Sequence, residues 1–393
     1  LNKWTGRLTS SLLALLLLVP SPALGASGTV TDGNSAGQQA AAAPDYTGHW
    51  AAGDLQTWVD KGLLSGYGNG VFKPDQNITR AEWVALVNRV FNLQTVAAAN
   101  SFSDVEQGKA YYSEVMKAVS AGYVSGYSDG TFHPQQIVSR QEAAVMLYRL
   151  FRLDAAAAGA GPQDAETLPE WSREAVLSLL GDGFLSGYED GSFKGGRPVT
   201  RAEAVRMIGK LSGEIILQSG SYAQLQAKNL VISSAGVSLK DTEITGNLYL
   251  TEGIAGGDIL LDNVKVAGKI IVSGGGENSV VLNNTSAASL TADKPDGKLR
   301  IVLKGSSSIP DVTAESGVRL EEDTALGGAG FSRVKLENTL PAGSRIQLSG
   351  SFDSVVVNAA GEPELVLVRG TIAEMTLNRM AHFVRRPEAK SGI

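Results

Sequence analysis

Gly62-Leu63-Leu64-Ser65-Gly66-Tyr67-Gly68-Asn69-Gly70-Val71-Phe72 recurs twice without a gap: as Gly122-Tyr123-Val124-Ser125-Gly126-Tyr127-Ser128-Asp129-Gly130-Thr131-Phe132, and as Gly183-Phe184-Leu185-Ser186-Gly187-Tyr188-Glu189-Asp190-Gly191-Ser192-Phe193. The offsets are 60 and 61 residues, and an arginine follows each leading glycine at the same distance: Arg80, Arg140 and Arg201. Each copy reads as helix, tight turn, helix. Leu55, Trp58 and Val59 stand at helical spacing ahead of Gly62, which serves as a C-cap. The dipeptides Asn69-Gly70, Asp129-Gly130 and Asp190-Gly191 predict type I′ turns. Thr79-x-x-Glu82, Ser139-x-x-Glu142 and Thr200-x-x-Glu203 are capping boxes, each opening an apolar helix. One unit of this size cannot bury a core, so three should pack together.

Past residue 212 the composition changes. Positions 44–212 hold 19 aromatic residues, whereas 213–393 hold 5 and no tryptophan. Leu239-Lys240-Asp241-Thr242-Glu243-Ile244 matches Leu261-Asp262-Asn263-Val264-Lys265-Val266 at an offset of 22 residues. Phe331, Val334 and Leu336 recur as Phe352, Val355 and Val357 at 21, and again as Ile372, Met375 and Leu377 at 20. A period of that length with alternating apolar positions predicts a parallel β-solenoid, a β-helix of about eight turns and about 40 Å. The fold class expected is therefore multidomain: a helix-rich three-repeat pseudo-trimer, then an all-β parallel solenoid.

The chain divides accordingly. Residues 1–25 read as a signal peptide, with Lys3 and Arg7 ahead of the apolar run Leu12 to Val19 and small residues at Ala23-Leu24-Gly25; that run is too short to span a bilayer. Residues 26–43 read as a flexible linker. Repeats follow over 44–100, 101–160 and 161–212, the solenoid over 213–379, and a polar tail over 380–393. Among 393 residues there is no cysteine, which excludes disulfides, thiolate metal sites and cysteine nucleophiles. A net charge of −6 offers no basic face for nucleic acid. With three histidines and no cysteine, no metal or other cofactor is expected. No membrane anchor is expected either.

The arginines ask for an explanation. A cation at the first helical position opposes the helix dipole by some tenths of a kcal/mol, yet all three copies place one there. A guanidinium beside free N–H groups is a site for a carboxylate, and such a contact is worth about 1.5–3 kcal/mol. The alternative is a salt bridge between neighbouring repeats. Arg89, Arg149 and Lys210 lie near helix C-termini, where the dipole alone accounts for them.

The Ser-Gly-Tyr-x-(Asp/Asn)-Gly-x-Phe turn followed by Thr79-Arg80-Ala81-Glu82, Ser139-Arg140-Gln141-Glu142 and Thr200-Arg201-Ala202-Glu203 resembles the S-layer homology family. Asp45 with Trp50 and Asp164 with Trp171 match that family's opening, while Ala110 stands where the second tryptophan belongs, after Asp104. The resemblance implies a pseudo-trimer whose grooves bind pyruvylated secondary cell-wall polysaccharide on peptidoglycan. Arg80, Arg140 and Arg201 would then face the pyruvate carboxylate. Tyr67, Tyr127 and Tyr188 would line the grooves, core filling being their other reading. Gly66, Gly126 and Gly187 would let sugar approach the backbone. The third copy departs at Lys194-Gly195-Gly196-Arg197-Pro198, which would leave its groove weakened or altered.

The leading expectation is a secreted, non-catalytic protein at a Gram-positive-type cell surface, anchored by the repeats and displaying the solenoid as a stalk. A wall-anchored carbohydrate-active enzyme is the first alternative. Asp241, Glu243, Asp258 and Asp262 are its densest acidic set, with turn or ladder positions as their plainer reading. A self-assembling surface-lattice subunit is the second.

Overall fold

The computed structural model describes residues 43–155, 161–277 and 280–385. The expected signal peptide, nearly all of the linker and the end of the tail lie outside the described residues. Six helices come first: α1 (Ala52–Asp60), α2 (Arg80–Phe91), α3 (Tyr112–Ser120), α4 (Arg140–Leu150), α5 (Glu170–Gly181) and α6 (Arg201–Ser212). All three expected capping boxes form, with Thr79, Ser139 and Thr200 accepting from the backbone of Glu82, Glu142 and Glu203. Gly62 ends α1 at φ +70°; its N–H reaches Val59 O at 2.9 Å, and the Leu63 N–H reaches Trp58 O at 2.8 Å. That is a Schellman ending, which only a residue tolerant of the left-handed region supplies cheaply.

The turns are less uniform than expected. Asn69 and Gly70 both have positive φ, and the Val71 N–H bonds Gly68 O, so the first copy has the I′ turn. In the other two copies only Gly130 and Gly191 are left-handed. There the Asp129 and Asp190 carboxylates accept from the Thr131 and Ser192 N–H at 3.0 Å. An aspartate that bonds the backbone two residues on keeps its own φ negative, and the glycine alone makes the bulge.

Threefold closure is written in hydrogen bonds. The N–H of Ile78 bonds Val199 O, that of Val199 bonds Val138 O, and that of Val138 bonds Ile78 O, at 2.9–3.0 Å. These three side chains have no exposed surface; each contributes about 1.5–3 kcal/mol by burial. No single repeat can close this ring, so the repeats are stable only together.

After residue 213 every strand pairing is parallel. The pairs inferred from the sequence are the pairs observed: Leu239 opposite Leu261, Val334 opposite Val355, Phe352 opposite Ile372 and Val357 opposite Leu377. Phe331 lies flat over Phe352, with ring centroids 6.4 Å apart and planes 4° from parallel. His382–Arg385, expected in the polar tail, instead adds a final strand beside Glu364–Leu377.

The core of the repeats extends into the first solenoid coils, while the rest of the solenoid packs around a second core of its own. Ile215, Val231, Tyr249 and Ile271 of the first coils pack with Phe91, Phe151 and Leu211 of the repeats. The late carbonyls of the three second helices are capped from the solenoid. Ser233 Oγ donates to Val90 O at 2.7 Å, the Tyr249 hydroxyl to Phe151 O at 2.8 Å, and Asn229 Nδ2 to Leu211 O at 2.7 Å. A helix end left without partners is costly, so the solenoid completes the trimer. Arg152 pairs with both Asp293 and Glu315 across the same junction. Tyr249→Phe, which leaves Phe151 O without its donor, is expected to lower stability by about 1–2 kcal/mol in denaturant titration of the full chain.

Among the described residues no helix is long and apolar enough to cross a membrane.

Candidate functional site

Each arginine at a helix start reaches out of its own repeat into the next. Arg80 Nε donates to Phe132 O at 2.8 Å, Arg140 Nε to Phe193 O at 3.1 Å, and Arg201 Nε to Phe72 O at 3.0 Å. The guanidinium then lies over the neighbouring tyrosine. Arg80 sits 4.8 Å from the Tyr127 ring centre, Arg140 5.0 Å from Tyr188, and Arg201 4.9 Å from Tyr67. Stacking of this kind suits a planar delocalised cation. All three arginines are buried, at 5–8% exposure.

The helix starts differ from what the sequence predicts. The N–H groups at these helix starts are not free for an anion. Those of Arg80 and Ala81 donate to Gln136 O and Pro134 O, those of Arg140 and Gln141 to Arg197 O and Gly195 O, and those of Arg201 and Ala202 to Gln76 O and Pro74 O. The loop of the next repeat consumes them, because closing the ring brings its carbonyls to each helix end. Only the guanidinium is left to meet an anion. The inter-repeat salt bridge, raised as the alternative, is present in two of three copies: Arg80 with Glu142 at 3.3 Å and Arg201 with Glu82 at 3.5 Å.

The glycines also have a nearer neighbour than sugar. A Cβ on Gly66 would meet Val71 O, one on Gly126 would meet Thr131 O and the Phe102 ring, and one on Gly187 would meet Ser192 O. What approaches them is the opposite strand of their own hairpin. Tyr67 is half exposed, and Tyr127 and Tyr188 are partly buried, so none of the three fills the core. The Tyr67 and Tyr127 hydroxyls donate to Glu82 at 2.9 Å and Glu142 at 2.6 Å. Beneath each hairpin an aspartate pins the turn: Asp45 accepts from the Phe72 and Lys73 N–H, Asp104 from those of Phe132 and His133, and Asp164 from those of Phe193 and Lys194.

Beside Arg80 opens a groove of about 360 Å³, walled by Gly126, Tyr127, Glu142, Arg149 and Trp171. It draws on all three repeats, since Trp171 lies in the first turn of α5 and is 55% exposed. A cation, a phenol, a carboxylate and an exposed indole around one cleft can grip an anionic sugar: charge for the acid group, ring faces for the apolar side of the pyranose. Arg149 and Trp171 were not among the residues chosen from sequence as site residues. Arg149 donates to Ser125 Oγ at 2.9 Å, so the helix dipole is not its whole account.

Groove electrostatics also fix a pH response. Burial works to raise the Glu142 carboxyl, but bonds from Tyr127 and Ser139 and the charge of Arg80 hold it below its ordinary value. Burial likewise opposes, and two backbone N–H donors override it, in the lowered Asp164. A carboxyl lowered in the folded state stabilises above its unfolded pKa of about 4, and that stability is lost as pH falls through the folded value. Melting temperature should therefore hold between pH 7 and 5 and fall below about pH 4. Glu142→Gln should flatten that acid limb.

On the solenoid, the acidic set proposed for catalysis is largely occupied by a ladder between coils. Asn263 Nδ2 donates to Asp241 at 2.6 Å and Asn283 Nδ2 to Asp262 at 2.7 Å. Glu243 stands opposite Lys265 in the register. Asp241, Asn263 and Asn284 all take left-handed φ at the same corner of successive coils. Among the described residues no group of three or more acidic or histidine side chains is arranged to hold a metal.

Residues 44–82, 101–144 and 164–205 match the S-layer homology domain family, so the chain carries three S-layer homology repeats. It is 38% identical over 111 residues to cell surface glycoprotein 1 of Acetivibrio thermocellus, covering 26% of this chain and 5% of that protein. Identity is 30% over 166 residues to an S-layer protein of Bacillus thuringiensis subsp. finitimus, covering 41% and 20%. It is 29% over 167 residues to a cellulosome-anchoring protein of A. thermocellus, covering 39% and 37%. The chain thus spans between a twentieth and about a third of the length of these relatives.

Proposed function

We propose that the three S-layer homology repeats hold this secreted chain non-covalently at the surface of a Gram-positive-type cell wall. The ligand is the pyruvylated secondary cell-wall polysaccharide attached to peptidoglycan, and the solenoid is a rigid, non-catalytic module displayed from that anchor. The observation that carries the reading is the groove beside Arg80, where a buried guanidinium stacked on Tyr127 shares one cleft with Arg149 and the exposed indole of Trp171. A charge-assisted contact to a sugar carboxylate is worth about 1.5–3 kcal/mol, too little alone for stable anchoring. Two grooves on one rigid body make the second contact intramolecular, and a repeating polymer offers it at high effective concentration.

Competition tests this. Soluble wall polysaccharide should displace the full chain from peptidoglycan sacculi, and the same polymer after mild acid removal of its pyruvate ketals should not. Equal competition by both polymers would refute the carboxylate as the recognised group. A second reading, a self-assembling lattice subunit, draws on the far end of the solenoid, where Leu377, Met380 and Phe383 are exposed beside an edge strand. Ordered sheets on removal of chaotrope would favour it.

A further inference from the structure

The surroundings of the three helix-start arginines are not equivalent, and one loop residue makes the difference. Around Arg80 and Arg201 a glutamate supplies the counter-charge. Around Arg140 the corresponding glutamate, Glu203, is taken by Arg197, whose Nη1 lies 2.5 Å from Glu203 Oε1 and 2.6 Å from the Tyr188 hydroxyl. The position of Arg197 in its loop is that of Gln136 in the second copy, since both carbonyls accept from the helix-start arginine ahead of them. Gln136 Nε2 meets the Tyr127 hydroxyl at 3.0 Å but brings no charge, so Glu142 stays with Arg80.

Arg140 is consequently a guanidinium more than nine-tenths buried, whose hydrogen bonds among the described residues run to the carbonyls of Phe193 and Ser186. Among the described residues no carboxylate lies within 4 Å of it. Burial, aided by the nearby charge of Arg197, lowers its pKa despite the pull of Tyr188 and Glu203. A buried cation short of counter-charge gains most from an incoming anion, whereas in the other two grooves a ligand carboxylate must share the arginine with a resident glutamate.

We propose that the groove of Arg140 is the strongest carboxylate site of the three, and that Arg197 makes it so by drawing Glu203 away. The departure at Lys194-Gly195-Gly196-Arg197-Pro198, read from sequence as weakening this groove, strengthens it. The inference rests on the proposed recognition of an acidic sugar and assigns its preferred groove and selecting residue.

Isothermal titration of the full chain with the methyl glycoside of pyruvate-ketal N-acetylmannosamine tests it. Arg197→Gln and Gln136→Arg change exposed loop positions, and unchanged melting curves would verify their folding. Arg197→Gln should weaken the tightest site at least tenfold, and Gln136→Arg should create a second site of comparable strength. Unchanged or tighter binding by Arg197→Gln would mean that Arg197 obstructs its groove, overturning this inference and leaving the anchoring reading intact. No binding of the probe by the unaltered chain would overturn both.

Discussion

Gly213→Ala is expected to cost the folded chain about 3–5 kcal/mol, the sum of a strained backbone and an overpacked contact. Gly213 links α6 to the first solenoid strand at φ +63° and ψ −124°, a conformation open in practice only to glycine. A Cβ there would collide with the Asn229 carbonyl, which accepts the Glu214 N–H while the Asn229 side chain caps Leu211. Strain at this point should spread to both halves, because the core of the repeats takes in residues of the first coils. Denaturant unfolding followed separately by the four tryptophans of the repeats (Trp50, Trp58, Trp83 and Trp171) and by far-ultraviolet dichroism should shift together. Gly256→Ala, with open space around its Cβ and ordinary φ, is the control and should change stability by less than about 1 kcal/mol. A repeat domain unfolding normally while the solenoid alone is lost would contradict the shared core.

Arg80→Ala carries the second large effect, again about 3–5 kcal/mol, the cost of breaking a buried ion pair by removing one partner. The change leaves Phe132 O without its side-chain donor, takes the counter-charge from Glu142, which keeps its bonds from Tyr127 and Ser139, and strips the stacked cation from Tyr127 and Phe132. Arg80→Lys should recover little, since an ammonium cannot bond a carbonyl and a carboxylate while lying flat on two rings. Arg89→Ala should be nearly silent in comparison: Arg89 is exposed, and its bond to Leu63 O is long at 3.3 Å. The arginines thus have two jobs. They bolt one repeat to the next, and the Arg80 guanidinium also walls the groove beside it.

What the sequence made legible follows from which interactions are periodic. Coil registers came directly from offsets of 20–22 residues, because stacking places each inward Val, Leu or Phe over its counterpart; Phe331 over Phe352 is one instance. Capping boxes were legible because their geometry is local, within four residues. Contacts that close the ring were not. Nothing near Arg80 in sequence says that Gln136 O and Pro134 O will take the helix-start N–H groups, since these partners lie more than fifty residues away. The junction was hidden for the same reason. Ser233, Asn229 and Tyr249 look like ordinary strand residues until they are set against the ends of α2, α4 and α6. Trp171 was visible as a repeat feature, but its place in a groove depends on Arg80 and Tyr127 from two other repeats.

The most direct test of the anchoring claim is cosedimentation of the full chain with purified peptidoglycan sacculi, before and after chemical removal of the attached polysaccharide. The account predicts that the chain pellets with intact sacculi and stays in the supernatant once the polysaccharide is gone. Undiminished pelleting with stripped sacculi would contradict it, and would leave Arg80, Arg140 and Arg201 as bolts between repeats and nothing more.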